Sequence, residues 1–348
     1  MQIITAKGSI SMENPREIQE ALEGQMLSPR ASYAARSAGR EINEPECEVR
    51  TCYQRDIDKI IHCKTFRRLK HKTQVFLSPE GDHYRTRLTH TLEVSRLSRT
   101  IARALRLNED LAEAIALAHD FGHTPFGHAG ERALDEIMCE EGGFKHNEQS
   151  LRIVEKIEQN GKGLNLTYET RDGILCHTGA KKPDTQEGSI VRIADRIAYV
   201  NHDLDDALRA GILRKTEIPE EIIHILGAKN SDRINTLILD IIKESDKSGI
   251  ITFSPHIKFI FDIFRKFIHE NVYMNMLAKS EEGKVFGIIN EIYGYYLAAP
   301  GELPEEYLHL SSNDGLKRAV CDYISGMTDK YAVYVYEKLF IPEAWQIR

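Results

Sequence analysis

Apolar residues recur at steps of three and four along most of this 348-residue chain, and strand-like alternation of Val, Ile and Thr is scarce. Between residues 87 and 105 one such stripe is formed by Leu88, Leu92, Leu97, Ile101 and Leu105. A cleaner one, between 189 and 210, is formed by Ile190, Ala194, Ile197, Leu204 and Leu208. This spacing places the apolar side chains on one face of a helix, so the sequence predicts an all-α fold.

The same periodicity sets the expected order of elements. Thr167 and Ser189 are the predicted N-caps of two of the helices. The predicted helices cover residues 87–105, 110–121, 130–140, 147–159, 167–176, 189–210, 218–227, 231–244, 255–271, 281–298 and 314–340. Residues 1–40 are polar and weakly patterned, which predicts a loose N-terminal arm or a partner-binding strap. We therefore expect an arm over 1–40, a core over 41–215 and a C-terminal helical region over 216–348 packed on the core.

Composition narrows the class of protein. Hydrophobic residues make up 41% and charged residues 28%, an ordinary balance for a soluble protein. No stretch is long and apolar enough to predict a membrane span, and the N-terminus lacks the apolar segment of a secretion signal. The sequence thus predicts a cytoplasmic protein without a membrane partner. The six cysteines form no CxxC pair, which predicts free thiols rather than a disulfide framework or zinc knuckle.

Charge is distributed unevenly. Residues 48–106 contain 14 Lys and Arg against 6 Asp and Glu, whereas the whole chain has a net charge of −7. A basic segment in an acidic protein indicates an anionic ligand at that place rather than general affinity for nucleic acid.

Histidines beside carboxylates are the main functional signal. Ten of the 14 histidines lie between residues 62 and 202. His90 lies on the first predicted helix, the pair His119–Asp120 ends the second, and Asp195 lies inside the long helix after Ser189. Imidazole and carboxylate donors supplied by several elements are typical of catalytic metal centres. Asp195 is apolar-flanked and would be costly to bury without a cation, although an ion pair with Arg192 or Arg196 on a solvated face explains it equally well.

The loop from Asp120 to Glu131 is the densest region of potential chemistry. His123 and His128 flank a Pro-Phe-Gly turn, and Glu131 follows His128 by three residues. A carboxylate at that spacing can fix the tautomer of a histidine and raise its basicity, as proton transfer requires. The sequence predicts a catalytic histidine–glutamate pair here.

These residues carry a family resemblance. The order His90, His119–Asp120, Asp195 resembles the H…HD…D signature of the HD-domain phosphohydrolases. The segments FRRLKHKTQVF at 66–76, RTRLTH at 85–90, AHDFGHTPFGHAGE at 118–131 and IADRIAY at 193–199 closely resemble the dGTP triphosphohydrolase family. The resemblance covers about residues 28–212 and implies an HD-domain helical fold with additional C-terminal helices.

The resemblance also implies roles. A single divalent ion, Mn²⁺ or Mg²⁺ with Fe²⁺ and Co²⁺ also compatible, would be held by His90, His119, Asp120 and Asp195. The implied catalytic residues are His128, Glu131, His123 and His146. The implied substrate contacts are Arg87 for the α-phosphate, Arg196 and Tyr199 for the outer phosphates, and Gln74 and Asp203 for the deoxyribose 3′-hydroxyl. The implied reaction converts dGTP and other dNTPs to deoxynucleoside and inorganic triphosphate, in a hexamer or another even homo-oligomer.

Two alternatives remain open at the level of sequence. A different HD phosphohydrolase, such as a nucleotidase, a cyclic-nucleotide phosphodiesterase or a stringent-response hydrolase, would suit a second metal ion held by His146 and His177. A catalytically silent HD module would bind nucleotides or nucleic acid, and the basic segment with Phe66, Phe76 and Tyr84 suits a single strand. Single-stranded DNA is also a candidate partner of an active enzyme.

Overall fold

The computed structural model describes residues 14–74, 85–274 and 282–342, and within these ranges it contains helices and no strand. The predicted all-α fold is confirmed. The α-helices are α1 Pro15–Met26, α2 Cys52–His62, α3 Lys64–Arg68, α4 Arg87–Ala104, α5 Glu109–Ala118, α6 Gly127–Ile137, α7 His146–Arg152, α8 Glu158–Gly161, α9 Tyr168–Cys176, α10 Gln186–Arg209, α11 Glu220–Leu226, α12 Asn230–Ser248, α13 Pro255–Ile268, α14 Glu282–Ala298, α15 Glu305–Asp314, α16 Leu316–Ser325 and α17 Asp329–Phe340. Short π-helical turns follow α7 at Ile153–Ile157 and α13 at His269–Tyr273.

Helix α5 lies at the centre of the residues that form the site. It packs against α2, α4, α9 and α10, and every residue from Ala114 to Ala118 is buried. Its sequence from Ala114 to Ala118 is wholly apolar, which is typical of a helical segment enclosed by others. Asn108 caps its first turn by accepting hydrogen bonds from the amides of Asp110 and Leu111. The helix ends where the His119–Asp120 pair begins.

Helices α4 and α10 cross beside α5. Thr86 begins α4 with a capping box. For α10 the predicted cap, Ser189, is wrong: the helix begins earlier, because the Thr185 hydroxyl accepts from the amide of Gly188. Thr167 does precede α9 as predicted, but its hydroxyl bonds to the side chains of Asp56 and Thr170 and caps no backbone amide of the helix.

The C-terminal helices share cores with the rest of the chain. One cluster of buried side chains joins residues 60–174 to residues 285–335, and another joins α4 and α10 to α11, α12 and α13. The single helix predicted over 314–340 is wrong, because the chain breaks at Gly315, whose φ of +87° suits glycine, and again between Ser325 and Asp329.

The loose arm predicted for residues 1–40 does not hold over 14–40. Helix α1 is capped by Asn14, and its Glu23 is buried, accepting bonds from the Ala34 amide and from Asn108.

Two of the aromatic residues that were considered for binding of single-stranded nucleic acid, Phe76 and Tyr84, lie outside the described residues. No helix in the described part of the chain is long and apolar enough to cross a membrane.

Candidate functional site

The four residues expected to bind a metal converge at one point. His90 on α4 places Nε2 3.1 Å from Oδ1 of Asp195 on α10 and 3.7 Å from Oδ2 of Asp120. His119, at the end of α5, places Nε2 3.4 Å from Asp120 Oδ1 and 3.7 Å from Asp195 Oδ1. Three helices that are distant in sequence thus present two imidazoles and two carboxylates to the same volume.

This geometry fits a divalent cation. Ligands about 2.0–2.2 Å from one ion lie about 3–3.6 Å from one another, close to the separations found here. The tautomer of His119 also fits, because Nδ1 lies 2.7 Å from the Ala116 carbonyl and therefore carries the proton. Its Nε2 is buried and has no hydrogen-bond partner among the described residues. A metal ion would satisfy that atom.

Electrostatics hold the carboxylates in their charged form. Burial alone would raise the pKa of Asp195, but the nearby imidazole of His119 and the bond to His90 keep it well below the usual value. Burial likewise lowers the pKa of His119, yet Asp120 and Asp195 outweigh it and raise that pKa to about 9. Arg87, almost fully buried, donates to Asp120 at 2.9 Å. The cluster therefore places two carboxylates beside two positive groups, His119 and Arg87. A metal ion can replace the proton that His119 carries on Nε2.

The alternative explanation for Asp195 is wrong. Arg192 does not pair with it but donates to the backbone carbonyls of the turn after α9, those of Cys176, Thr178, Gly179 and Lys181. Arg196 forms no ion pair with any residue in the described ranges. The ionic partners of Asp195 are His90 and His119.

A second group of imidazoles surrounds Glu131. The Oε1 atom of Glu131 accepts from the ring Nδ1 of His146 at 2.7 Å and from the His146 amide at 2.9 Å. His128 Nδ1 lies 3.6 Å from Oε2, and His123 Nδ1 lies 3.9 Å from it. The predicted pair of His128 with Glu131 is thus present but looser than the pair with His146. The His128 side chain is 54% exposed, whereas His123 is buried and its ring stacks on His146 at 4.0 Å.

These imidazoles adjoin the four converging side chains. His123 Nε2 lies 3.2 Å from Asp120 Oδ1, so donor atoms of Asp120, His123 and His146 form a second group that could hold a cation. His177 donates from Nδ1 to the Ile174 carbonyl, and its Nε2 faces Nε2 of His146 at 3.2 Å. His146 and His177 do adjoin each other, as the second-metal alternative requires.

The ligands open into a cavity of about 240 Å³. Of the predicted substrate contacts, the cavity brings together Gln74, Arg87, Tyr199 and Asp203. Asp195, Tyr199 and Asp203 share one face of α10, as their four-residue spacing predicts. Gln74 Oε1 and Asp203 Oδ1 are both buried without a hydrogen-bond partner among the described residues. Burial raises the pKa of Asp203 to about 7.

Arg196 lies apart from this group. It lines a neighbouring cavity of about 440 Å³ with Lys182, Arg192, Lys258 and Arg265. The two cavities adjoin at Tyr199, which lines the first and whose hydroxyl accepts from Nε of Arg265 at 3.1 Å. The predicted phosphate contacts are therefore divided between two adjacent spaces.

Sequence reasoning missed residues contributed by the C-terminal region. Tyr273 lines the ligand cavity and its hydroxyl donates to Asp203. Arg265 bonds to Tyr199, and Thr178 completes the wall. The only available signal was the eight-residue spacing of Arg265 and Tyr273 on one helical face, which does not indicate what that face contacts.

Known proteins that resemble this chain agree with the site. An HD domain model matches residues 87–200, the range that contains all four converging ligands, and a phosphohydrolase-associated domain model matches residues 251–338. The fold and the histidine–aspartate centre thus define an HD-domain protein of the phosphohydrolase class.

More specific relatives cover nearly the whole chain. A deoxyguanosinetriphosphate triphosphohydrolase-like protein of Caldanaerobacter subterraneus subsp. tengcongensis is 52% identical, over 95% of this chain and 97% of that protein. One from Clostridium perfringens is 49% identical over 94% and 98%. The chain belongs to the deoxyguanosinetriphosphate triphosphohydrolase-like family. A solved structure of a hypothetical protein from Aquifex aeolicus matches with 18% identity and a TM-score of 0.43, over 83% of this chain and 68% of that one.

Proposed function

We propose that this protein is a metal-dependent triphosphohydrolase that converts deoxynucleoside triphosphates to deoxynucleoside and inorganic triphosphate. The observation that carries the proposal is the convergence of His90, His119, Asp120 and Asp195 at a cavity bordered by the Glu131 imidazole group. The names of the relatives support dGTP as one substrate. Among the described residues that line the cavity, none selects among the four bases.

The four converging side chains would hold one divalent ion. When bound, such an ion supplies Lewis-acid stabilisation of charge on the reacting phosphate and lowers the pKa of a coordinated water. Mn²⁺ and Mg²⁺ suit these nitrogen and oxygen donors, and Fe²⁺ and Co²⁺ suit them too.

The histidines around Glu131 move the protons. A water oxygen forms a bond to the α-phosphorus and the bond from that phosphorus to the 5′-oxygen breaks, so the nucleoside leaves with a hydroxyl. One imidazole accepts the water proton, and another supplies the proton for the 5′-oxygen. Glu131 holds His146 through two hydrogen bonds. His128 is exposed at the edge of the cavity, and His123 lies beside Asp120. Arg87, which already orients Asp120, has an Nε without a partner in the described structure and faces the α-phosphate.

The remaining cavity residues hold the substrate. Two buried acceptors without donors, Gln74 Oε1 and Asp203 Oδ1, suit a sugar hydroxyl, since an unpaired buried acceptor costs about 1–3 kcal/mol. A triphosphate carries about four negative charges and needs cations along its length. The outer phosphates extend past Tyr199 toward Arg196 and Arg265 in the adjoining cavity. A cytoplasmic location, an even oligomer such as a hexamer and a role for single-stranded DNA are parts of the same proposal.

A product assay tests the proposal. Purified protein is incubated with each of the four dNTPs and with Mn²⁺ or Mg²⁺ in H₂¹⁸O. The products are separated by anion-exchange chromatography, and their masses are measured by mass spectrometry. We expect intact triphosphate carrying one ¹⁸O and an unlabelled deoxynucleoside, because water attacks the phosphorus. Chelation by EDTA should stop the reaction, and added metal should restore it. Pyrophosphate, single phosphates or a labelled nucleoside would contradict the proposal.

Arg196→Ala is expected to raise KM for the dNTP about 10-fold or more while changing kcat less. The reason is that Arg196 has no ion-pair partner in the described residues, and a charge-assisted bond to phosphate contributes about 1.5–3 kcal/mol. Steady-state kinetics measure both constants. Lys266→Ala, an exposed cation next to Arg265, is the control and should leave KM unchanged. Equal KM values for the two variants would place the outer phosphates elsewhere.

A second candidate function is supported by one observation, the group formed by Asp120, His123 and His146 beside the first cluster. If both groups bind a metal, the site resembles that of a two-metal phosphodiesterase. Metal content per chain distinguishes the two. One tightly bound ion supports the triphosphohydrolase, and two ions with hydrolysis of a cyclic nucleotide support the alternative.

A further inference from the structure

The loop that joins the proposed metal ligands to α6 also contacts residues outside the segment 87–200, which matches the HD domain model. This loop, residues 120–127, contains Asp120 and His123 and leads into His128. On one side the Ser150 hydroxyl bridges the Gly122 amide and the His119 carbonyl. The opposite side contacts two residues that the proposed mechanism does not use, Lys72 and Asp329.

Lys72 is a buried amine whose hydrogen bonds within the described residues all go to backbone carbonyls. It is 1% exposed, and its Nζ donates to the His123 carbonyl at 2.5 Å and to the Ser325 carbonyl at 2.8 Å. Its own carbonyl accepts from the Arg87 amide at the start of α4. Burial lowers the pKa of Lys72 to about 7, so enclosing this amine is costly. Because its amine bonds to both the His123 and the Ser325 carbonyl, Lys72 fixes the relative position of the two segments that contain them.

Asp329 makes the complementary connection. Its Oδ2 accepts from the amide of Thr73 at 3.1 Å and from the Thr73 hydroxyl at 2.6 Å, while Oδ1 accepts from the Phe126 amide at 2.9 Å. Phe126 has a φ of +64°, a left-handed conformation that is unfavourable for a residue other than glycine. The bond to Asp329 helps to hold Phe126 in this conformation, at the point where the chain turns into α6 and His128.

We propose that Lys72 and Asp329 are positioning residues that clamp the 120–127 loop, so that the turn between α16 and α17 sets the catalytic geometry of His123 and His128. The inference rests on the proposed function for its kinetic consequence. The clamp joins three segments: 72–74, which ends in Gln74 of the cavity wall, the 120–127 loop, and the 325–329 turn. The C-terminal region therefore acts on catalysis through the Asp329 carboxylate and the Ser325 carbonyl as well as covering the core.

Asp329→Asn tests the clamp, because an amide turns one acceptor oxygen into a donor facing an N–H group. We expect kcat to fall about 10- to 100-fold, with KM and the Kd for Mn²⁺ each within about 3-fold of wild type. Asp56→Asn is a matched control, since Asp56 is also buried and accepts from the amide and hydroxyl of Thr167. The control should lower Tm by at least as much, because Asp56 also pairs with Arg40, and should leave kcat unchanged.

Hydrogen–deuterium exchange supplies a readout that does not depend on turnover. Amides of residues 120–128 should exchange faster in Asp329→Asn than in wild type, and not in Asp56→Asn. Lys72→Met should have the same effects, and Thr73→Val, which removes a single hydroxyl bond, gives a milder version if the others fold poorly. Unchanged loop exchange, or an equal loss of kcat in the control, would overturn the clamp. A wild-type protein that releases no triphosphate would overturn the proposed function instead, and the exchange result would still decide the clamp.

Discussion

Asp195→Ala is expected to abolish binding of the divalent ion and to lower turnover by about 10³-fold or more. Asp195 contributes a carboxylate that lies within 4 Å of both His90 and His119, and it is one of two anions among the four converging ligands. Without it the site retains two imidazoles and one carboxylate, and that carboxylate is already bonded to Arg87. Isothermal titration with Mn²⁺ and the triphosphate assay measure the two losses.

The variant should keep its fold, which makes the test decisive. Helix α10 is held by buried apolar residues, among them Ala194, Ile197 and Ala198, so the far-ultraviolet circular dichroism should be unchanged. Asp205→Ala is the matched control on the same helix, because Asp205 pairs with Arg233 away from the cavity. The control should bind Mn²⁺ and turn over normally. An active Asp195→Ala protein would show that the ligand set is wrong.

The sequence was sufficient for the helices whose apolar faces are continuous. Helices α4, α5, α10 and α13 lie within a few residues of the predicted ranges because burial of one face determines each of them. Prediction failed where glycine and tertiary contacts break a helical pattern. Gly315 and the 326–328 turn divide the segment predicted as one helix, and α1 is retained by contacts of Glu23 that no local pattern reveals.

Within the site, residues on one helical face were predictable and pairings between helices were not. Asp195, Tyr199 and Asp203 line one cavity because four-residue steps return to the same face. Arg196 is adjacent to Asp195 in sequence but turns about 100° around α10 and enters the second cavity. The preference of Glu131 for His146 over His128 also depends on tertiary structure, since α7 has to pack against the 120–127 loop before the two side chains meet.

The residues that were missed have a common cause. Neither residue type nor local sequence marks Lys72, Tyr273 and Asp329 as part of the site. Their significance follows only from the residues that they contact. A buried lysine cannot be distinguished from an exposed one in a basic run. The basic segment between residues 48 and 106 is accordingly divided: Arg87 and Lys72 point inward, whereas Arg67 and Lys70 are exposed. Local charge therefore did not identify which cations of the basic segment face the cavity.

Glu131→Gln is expected to lower kcat about 10²- to 10³-fold while the affinity for Mn²⁺ stays near that of wild type. Burial would raise the pKa of Glu131, but bonds to His128 and His146 outweigh it and keep the pKa well below the usual value, so the group is an anion. This single charge faces three imidazoles, those of His123, His128 and His146. Glutamine removes the charge and can present an amide donor to the ring N–H of His146, which disturbs its tautomer and orientation.

Single-turnover measurements at saturating dNTP isolate this chemical step from binding and product release. Glu136→Gln, an exposed position on the same helix, is the matched control and should keep the wild-type rate. Because Glu131 is not among the four converging metal ligands, loss of the rate with retained metal binding separates proton transfer from metal binding. A Glu131→Gln protein with an unchanged single-turnover rate would remove the imidazole group from the mechanism and leave the metal centre as the whole catalytic apparatus.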